Sequence, residues 1–206
     1  MSQQSTSSRR ELLLRVLPAC AICVGCPRLA GMAAAMPQEP KSVSSGKKYT
    51  EKTDMTWEEL FKFAYGYAIP TMKNLSEQIG KEKFLEMLKK ATSEVAVREV
   101  EETYRDRPKR DLATLLADMK KPDSLYQHTL TFEFVKDTEK EADVRITECL
   151  WARTFREAKA GDLGYAMICH GDIASTKAYN PKITLNRPKI LMRGDDECRF
   201  HWVMEV

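Results

Sequence analysis

The run Gly164-Tyr165-Ala166-Met167-Ile168-Cys169-His170-Gly171-Asp172 holds a thiol, an imidazole and a carboxylate within four residues. A cysteine beside a histidine can ionise to the thiolate, the species that attacks carbon. In that reading Cys169 is the nucleophile and His170 moves protons. Asp172 orients the imidazole or stabilises its charged form. On a helix Tyr165 and Cys169 share a face at i, i+4, and Cys169 and Asp172 at i, i+3. His170 lies about 100° round from Cys169, so a dyad requires the chain to bring sequence neighbours together in space. The bland alternative for Cys169 is a small buried hydrophobe.

Two further constellations lie in the last third of the chain. Cys149, Cys169 and Cys198, with His170 or Asp195 as a fourth group, are a possible zinc set, although their long spacings match no compact zinc motif. In an oxidising compartment two of the three could pair instead, leaving the odd thiol free. Asp195-Asp196 follow Gly194 in a turn and could meet a cation, although most acids in such places simply form the turn. Arg187 shares strand parity with Ile183 and Leu185, whereas Lys182 has the opposite parity. An arginine on an apolar strand face needs a carboxylate, from the protein or from a substrate. No nucleophile elbow, phosphate loop, dinucleotide fingerprint or H-E-x-x-H motif is present.

The elements that must position these groups fall into two halves. Thr56 can cap a helix with Glu59 three residues on, and Trp57, Leu60, Phe61 and Ala64 give it an apolar stripe. Pro70 is expected to interrupt, with a second helix carrying Met72, Leu75 and Ile79. Beyond Gly80 a third stripe, Phe84, Leu85 and Leu88, extends through Val97, Val100 and Tyr104 to Pro108. Asp111 opens a helix bearing Leu112, Leu115, Leu116 and Met119, ended by Pro122. The period then drops to two. Strands are expected over about 126–135 and around Val144 and Ile146, joined by a turn at 136–141. Trp151, Phe155 and Ala158 mark a short helix, and Asp162 caps another over about 163–178, stopped by Asn180-Pro181. Two last strands, about 182–192 and 198–205, flank the turn at 194–197. Cys198, Phe200, Trp202 and Met204 share one face of the final strand. The fold class is therefore α+β: a helical N-terminal half packed on an antiparallel sheet with a helical excursion between strands.

The 206 residues carry 43% hydrophobic and 31% charged side chains, which excludes collagen-like, disordered and multi-pass membrane classes. Residues 1–35 hold four arginines against one glutamate and so account for the whole net charge of +3. The neutral remainder gives no electrostatic reason to expect nucleic acid as a partner. Arg9-Arg10, the apolar stretch after Leu12 and Ala33-Ala34-Ala35 have the layout of a twin-arginine export signal over 1–35, with the cut near Ala35. The predicted location is periplasmic, or cytoplasmic if the signal does not function. The apolar run is too short and too broken to be a stable membrane span. Cys20, Cys23 and Cys26 lie within the signal and read as apolar filler. Residues 36–54 read as a flexible linker, and 55–206 as one domain.

Cys149-Leu150-Trp151, the run Asp162 to Asp172, Ala178-Tyr179-Asn180-Pro181-Lys182-Ile183 and Leu191-Met192-Arg193-Gly194-Asp195-Asp196-Glu197-Cys198 resemble the L-2-amino-thiazoline-4-carboxylic acid hydrolase family, over about residues 55–206. More distantly, Gly194-Asp195-Asp196-x-Cys198-x-Phe200 is similar to the end of the vinyl-reductase-like small-molecule sensor domains, which are also α+β. The first resemblance implies hydrolysis of a carbon–nitrogen or carbon–sulfur bond in a cyclic amidine, with a small molecule as the substrate partner. On that footing Cys169 attacks ring C2, His170 moves the protons and Asp172 orients His170. Arg187 or Lys182 holds the substrate carboxylate, Asp195 or Asp196 its amidine, and Tyr165 and Asn180 complete the binding set. That route requires no cofactor. A metal-hydroxide variant would use a divalent metal such as zinc on Cys149, Cys198, Cys169 and His170. The alternative is an exported small-molecule or metal-binding module without catalysis.

Overall fold

The computed structural model describes residues 54–107 and 110–205. The export signal at 1–35, the Cys20, Cys23 and Cys26 run, and all of the linker except Asp54 lie outside the described residues. No helix among the described residues is long and apolar enough to cross a membrane.

Helix α1 (Trp57–Ile79) begins with the expected capping box: Glu59 N–H donates to Thr56 Oγ1 at 3.2 Å, and Thr56 N–H donates to Glu59 Oε2 at 2.8 Å. These satisfy two donors that every helix start leaves orphaned. Pro70 does not interrupt the helix as expected. Its ring faces solvent, and the carbonyl it deprives of a donor belongs to Gly66, whose surroundings are open enough for water to take over the bond. Gly80 (φ +97°) ends α1 and opens α2 (Lys81–Thr103). Helix α3 (Leu112–Lys120) is capped by Asp111, which accepts from Thr114 N–H at 2.8 Å, and it buries Leu112, Leu116 and Met119. A single turn, α4 (Leu125–Thr129), delays the first strand to β1 (Leu130–Asp137). It consumes the first residues of the segment expected to be extended.

Strand β1 pairs with β2 (Glu141–Cys149), which leads straight into α5 (Leu150–Glu157). The expected helix over 163–178 is instead three pieces: α6 (Gly161–Gly164), a wide π-type turn over Tyr165–Cys169, and α7 (Gly171–Tyr179). In the wide turn His170 N–H donates to Tyr165 O at 2.9 Å, an i to i+5 bond that adds one residue to the helical path. Strand β3 (Ile183–Asn186) is shorter than the expected 182–192. Pro188 has no N–H for a ladder, and the chain instead forms a 3-10 turn over Leu191–Arg193 before β4 (Cys198–Met204). All pairings are antiparallel, in the order β1-β2-β4-β3.

The core lies between the helices and one face of this sheet. Ala142, Val144, Ile146, Leu185 and Trp202 are buried on the sheet side and Leu112, Leu116, Phe155 and Tyr179 on the helical side. The α+β architecture is as the periodicity implies. Two glycines set how closely the layers approach. A Cβ on Gly171 would meet Ala96 Cβ at 3.0 Å, so this residue seats α7 on α2. A Cβ on Gly164 would stand 2.6 Å from Met192 Sδ and 2.7 Å from Phe155 Cγ, and Phe155 has no exposed surface into which to move. Gly164→Ala should therefore lower stability by about 1–3 kcal/mol, the usual cost of overpacking, seen as a reduced midpoint in thermal or urea unfolding. An unchanged midpoint would contradict this packing.

Candidate functional site

The chemistry-bearing residues separate into two groups. The buried group centres on Arg187, the first residue after β3, whose side chain is 5% exposed. Strand parity turns it inward with Ile183 and Leu185, as expected. Its Nη1 donates to Cys169 O at 3.0 Å and to Asp172 Oδ2 in a short ion pair. Its guanidinium carbon lies 4.0 Å from the centre of the Phe200 ring, and Nη2 lies 4.0 Å from Cys198 Sγ. Arg187 Nε is buried without a hydrogen-bond partner among the described residues. The carboxylate that this arginine needs thus comes from the protein, through Asp172.

Asp172 is the second residue of α7, so the wide turn and Gly171 aim it. Burial pushes its carboxyl up to about 6, with the Arg187 charge pulling the other way. The side chain nevertheless keeps 32% of its surface accessible, because it lines a cavity of about 610 Å3 between α2, α3, α7 and the sheet. Oδ2 is held by Arg187, while Oδ1 has no protein partner among the described residues. A carboxyl fixed by an arginine, open to a cavity and titrating near neutrality has the attributes of a general base.

The three thiols surround this pair and are all free. Burial pushes Cys169 up to about 12, which Arg187 opposes only in part, and Cys149 up to about 11. Burial also raises Cys198. A nucleophilic cysteine needs the opposite shift. The sulfurs serve the backbone instead. Cys149 Sγ caps α5 by accepting from Ala152 N–H at 3.4 Å, and Cys198 Sγ accepts from Leu191 N–H at 3.1 Å. Among the described residues, no three His, Cys, Asp or Glu side chains are grouped so as to hold a metal ion, so the expected Cys149 and Cys198 ligand set is not assembled here.

The structure does not bring His170 to Cys169. The wide turn stacks its ring edge-on to Tyr165, with centroids 5.9 Å apart, and burial together with the charges of Lys89 and Arg193 lowers its pKa. Tyr165 carries Arg193 over its ring at 3.8 Å and lines a separate surface groove. The other expected substrate ligands are occupied elsewhere. Asn180 donates to Arg110 O at 2.7 Å and accepts from Lys182 N–H at 2.9 Å, which ends α7. Lys182 is exposed ahead of β3. Asp195 accepts from Ile190 N–H at 2.7 Å and Asp196 pairs with Lys189 at 2.9 Å, so both acids build the turn. Sequence spacing misses Glu99, Asp118 and Tyr126, which line the Asp172 cavity from α2, α3 and α4. Each reads alone as a solvated helix residue.

Comparison with known proteins gives a family, and solved structures that are similar only at low sequence identity. The model of the L-2-amino-thiazoline-4-carboxylic acid hydrolase family matches residues 57–202. None of the curated proteins matches the chain. Among solved structures, a trafficking protein particle complex subunit 3 from Naegleria fowleri, covalently bound to palmitic acid, shares 12% identity. That likeness covers 72% of this chain and 95% of the other, with a TM-score of 0.42. The phenol-responsive sensory domain of the transcription activator PoxR, with phenol, shares 13%. There the coverage is 74% and 76%, with a TM-score of 0.44.

The raised thiols carry a testable consequence. In the native protein at pH 7.5, Cys149 and Cys169 should alkylate at least about a hundredfold more slowly than an exposed cysteine, as their thiolate fraction dictates, and Cys198 should also label more slowly. Peptide mapping by mass spectrometry would read each site, and denaturant should release all three. Fast native labelling of Cys169 would restore the nucleophile reading.

Proposed function

This chain belongs to the L-2-amino-thiazoline-4-carboxylic acid hydrolase family, and we propose that it hydrolyses a cyclic amidine of that type, with Asp172 as the base in place of a cysteine–histidine centre. The observation that carries the reading is the Asp172 carboxyl. It is raised to about 6 and held at one oxygen by Arg187, its other oxygen has no protein partner among the described residues, and the residue lines a cavity of about 610 Å3. The family supplies the reaction type and the cavity supplies a place for it.

The step balances with one water. At neutral pH Asp172 is mostly ionised, so Oδ1 takes a proton from water as the water oxygen bonds to the amidine carbon between ring nitrogen and ring sulfur. The tetrahedral carbon then collapses to a carbonyl as its hydroxyl proton passes to solvent, the carbon–sulfur bond breaks, and the leaving sulfur recovers the proton from Asp172. The same carboxylate pairs with the protonated amidine as it docks. Arg187 is a positioning residue: it fixes the carboxylate and keeps it from rising further. Cys169 lends its carbonyl to that arginine, and its thiol takes no part.

A second reading, binding without turnover, draws on the same cavity and on the protonated thiols that surround it.

Turnover of 2-amino-thiazoline-4-carboxylate or its ring analogues by purified protein separates the two. Asp172→Asn should lower kcat by about 10^2 to 10^4, the usual worth of a general base. Because the base acts ionised, kcat/KM should rise with pH through about 6 and level off above it. Cys169→Ser should leave kcat within about threefold, consistent with a thiol held in its neutral form. Full activity in Asp172→Asn, or its loss only in Cys169→Ser, would overturn the assignment.

A further inference from the structure

We infer that Arg107 and the Tyr104 hydroxyl hold the carboxylate of the substrate at the edge of the Asp172 cavity, so that the cavity selects a ring with an amidine at one end and a carboxylate at the other. This rests on placing the amidine at Asp172 and goes further by naming the groups that read the opposite end of the substrate. The cations expected in that role are placed otherwise: Arg187 is spent on Asp172, and Lys182 is exposed ahead of β3. Arg107 has no ion pair among the described residues, and its guanidinium carbon lies 4.9 Å from the centre of the Tyr104 ring. Tyr104 is buried and lines the cavity, so the exposed guanidinium over its ring stands at the cavity's edge. Lying over a ring steadies the planar fork with which an arginine grips both oxygens of a carboxylate. The Tyr104 hydroxyl has no hydrogen-bond partner among the described residues, and burial raises its phenol, which therefore stays a neutral donor.

The charges around the cavity are matched in number but separated in place. Asp172 pairs with Arg187, and Asp118 pairs with Lys121 at 2.5 Å. The charges acting on the Tyr104 phenol are those of Asp118, Arg107 and Lys121, two cations against one acid. On Tyr126 the leading charges are Asp172 and Asp118, and exposed Glu99 acts there but not on Tyr104. The space is thus positive toward Tyr104 and negative toward Asp172. Tyr126 links the two ends, since Asp172 and Tyr104 both act on its phenol. A ring with a protonated amidine on one side and a carboxylate on the other has the same polarity, and complementary potentials of this kind fix orientation. Held by Asp172 alone, such a ring is free to pivot about the amidine. A second anchor at Arg107 removes that freedom and keeps the amidine carbon beside the water that Asp172 activates.

The test uses the purified full chain and two probes, 2-amino-thiazoline-4-carboxylate and unsubstituted 2-amino-thiazoline. Titration calorimetry should show the carboxylate compound binding more tightly to the unmutated protein. Arg107→Gln should weaken that compound by about tenfold, the usual worth of a charged hydrogen bond, and change the unsubstituted ring by less than about threefold. Arg107→Lys should fall between, and Tyr104→Phe should weaken only the carboxylate compound. Arg107 is exposed, so circular dichroism and the thermal midpoint should not move in its variants. In turnover the Arg107→Gln loss should appear in KM with kcat nearly kept. Equal loss for both probes, unchanged binding of both, or no preference for the carboxylate compound in the unmutated protein would overturn the inference, and binding of neither probe would overturn it together with the hydrolase reading. Discrimination that holds in binding without hydrolysis of either probe would defeat the hydrolase reading alone.

Discussion

One ion pair organises the interior. Arg187 closes the end of β3, Asp172 opens α7, and their contact joins the edge strand of the sheet to the helical layer. Neither charge would be stable there alone, because desolvation taxes each by more than a surface pair could return. Arg187 keeps its proton: burial works against its charge, and the charge of Asp172 beside it works for it. Asp172 is left partway, raised by burial and restrained by the arginine. That intermediate state distinguishes it from an ordinary structural salt bridge. A fully paired aspartate would sit below its usual range, and a fully unpaired one would be neutral at pH 7.

The backbone around this pair is shaped to make it. Gly171 lets α7 come close enough to α2 to enclose the cavity, and the wide turn before it rotates Cys169 and His170 into different surroundings. Arg110 then anchors the far end of α7 by donating to Ala178 O and Tyr179 O, while Tyr179 OH donates to Asp111 O at 3.0 Å. The helix bearing the base is thus fixed at both ends, and precision at a reacting carboxylate depends on such supports.

Much of the frame is legible in the sequence because it rests on periodicity and caps. Thr56 with Glu59, Asp111, and the alternation in Cys198-x-Phe200-x-Trp202 are local patterns, and local patterns are readable one element at a time. Arg187 is legible for the same reason: an arginine in phase with Ile183 and Leu185 must find a carboxylate. What spacing does not reveal is which carboxylate, because that depends on a wide turn that inserts one residue into the helical path. The same insertion defeats the dyad. Cys169 and His170, about 100° apart on a regular helix, could meet only where the chain folds them together, whereas an i to i+5 bond commits His170 to Tyr165. Asn180, Asp195 and Asp196 mislead for another reason. Their turn-forming chemistry is the same hydrogen-bonding capacity that a substrate would use, and the backbone takes it first.

The thiols make the sharper physical point. Three cysteines near one arginine suggest lowered pKa values, and proximity of positive charge does act in that direction. Burial acts more strongly, and each sulfur already accepts from, or packs beside, groups that need no thiolate. The arginine cannot serve every neighbour. Its formal charge is directed to Asp172, and the carboxylate's own charge raises Cys169 further. An interior with one cation and several acidic groups will ionise the strongest acid first, which is the carboxyl. Once Asp172 is ionised, the field that would have favoured a thiolate is largely cancelled. The reactive form of this site is therefore a carboxylate among protonated thiols, and any chemistry it performs begins with a base rather than a sulfur nucleophile.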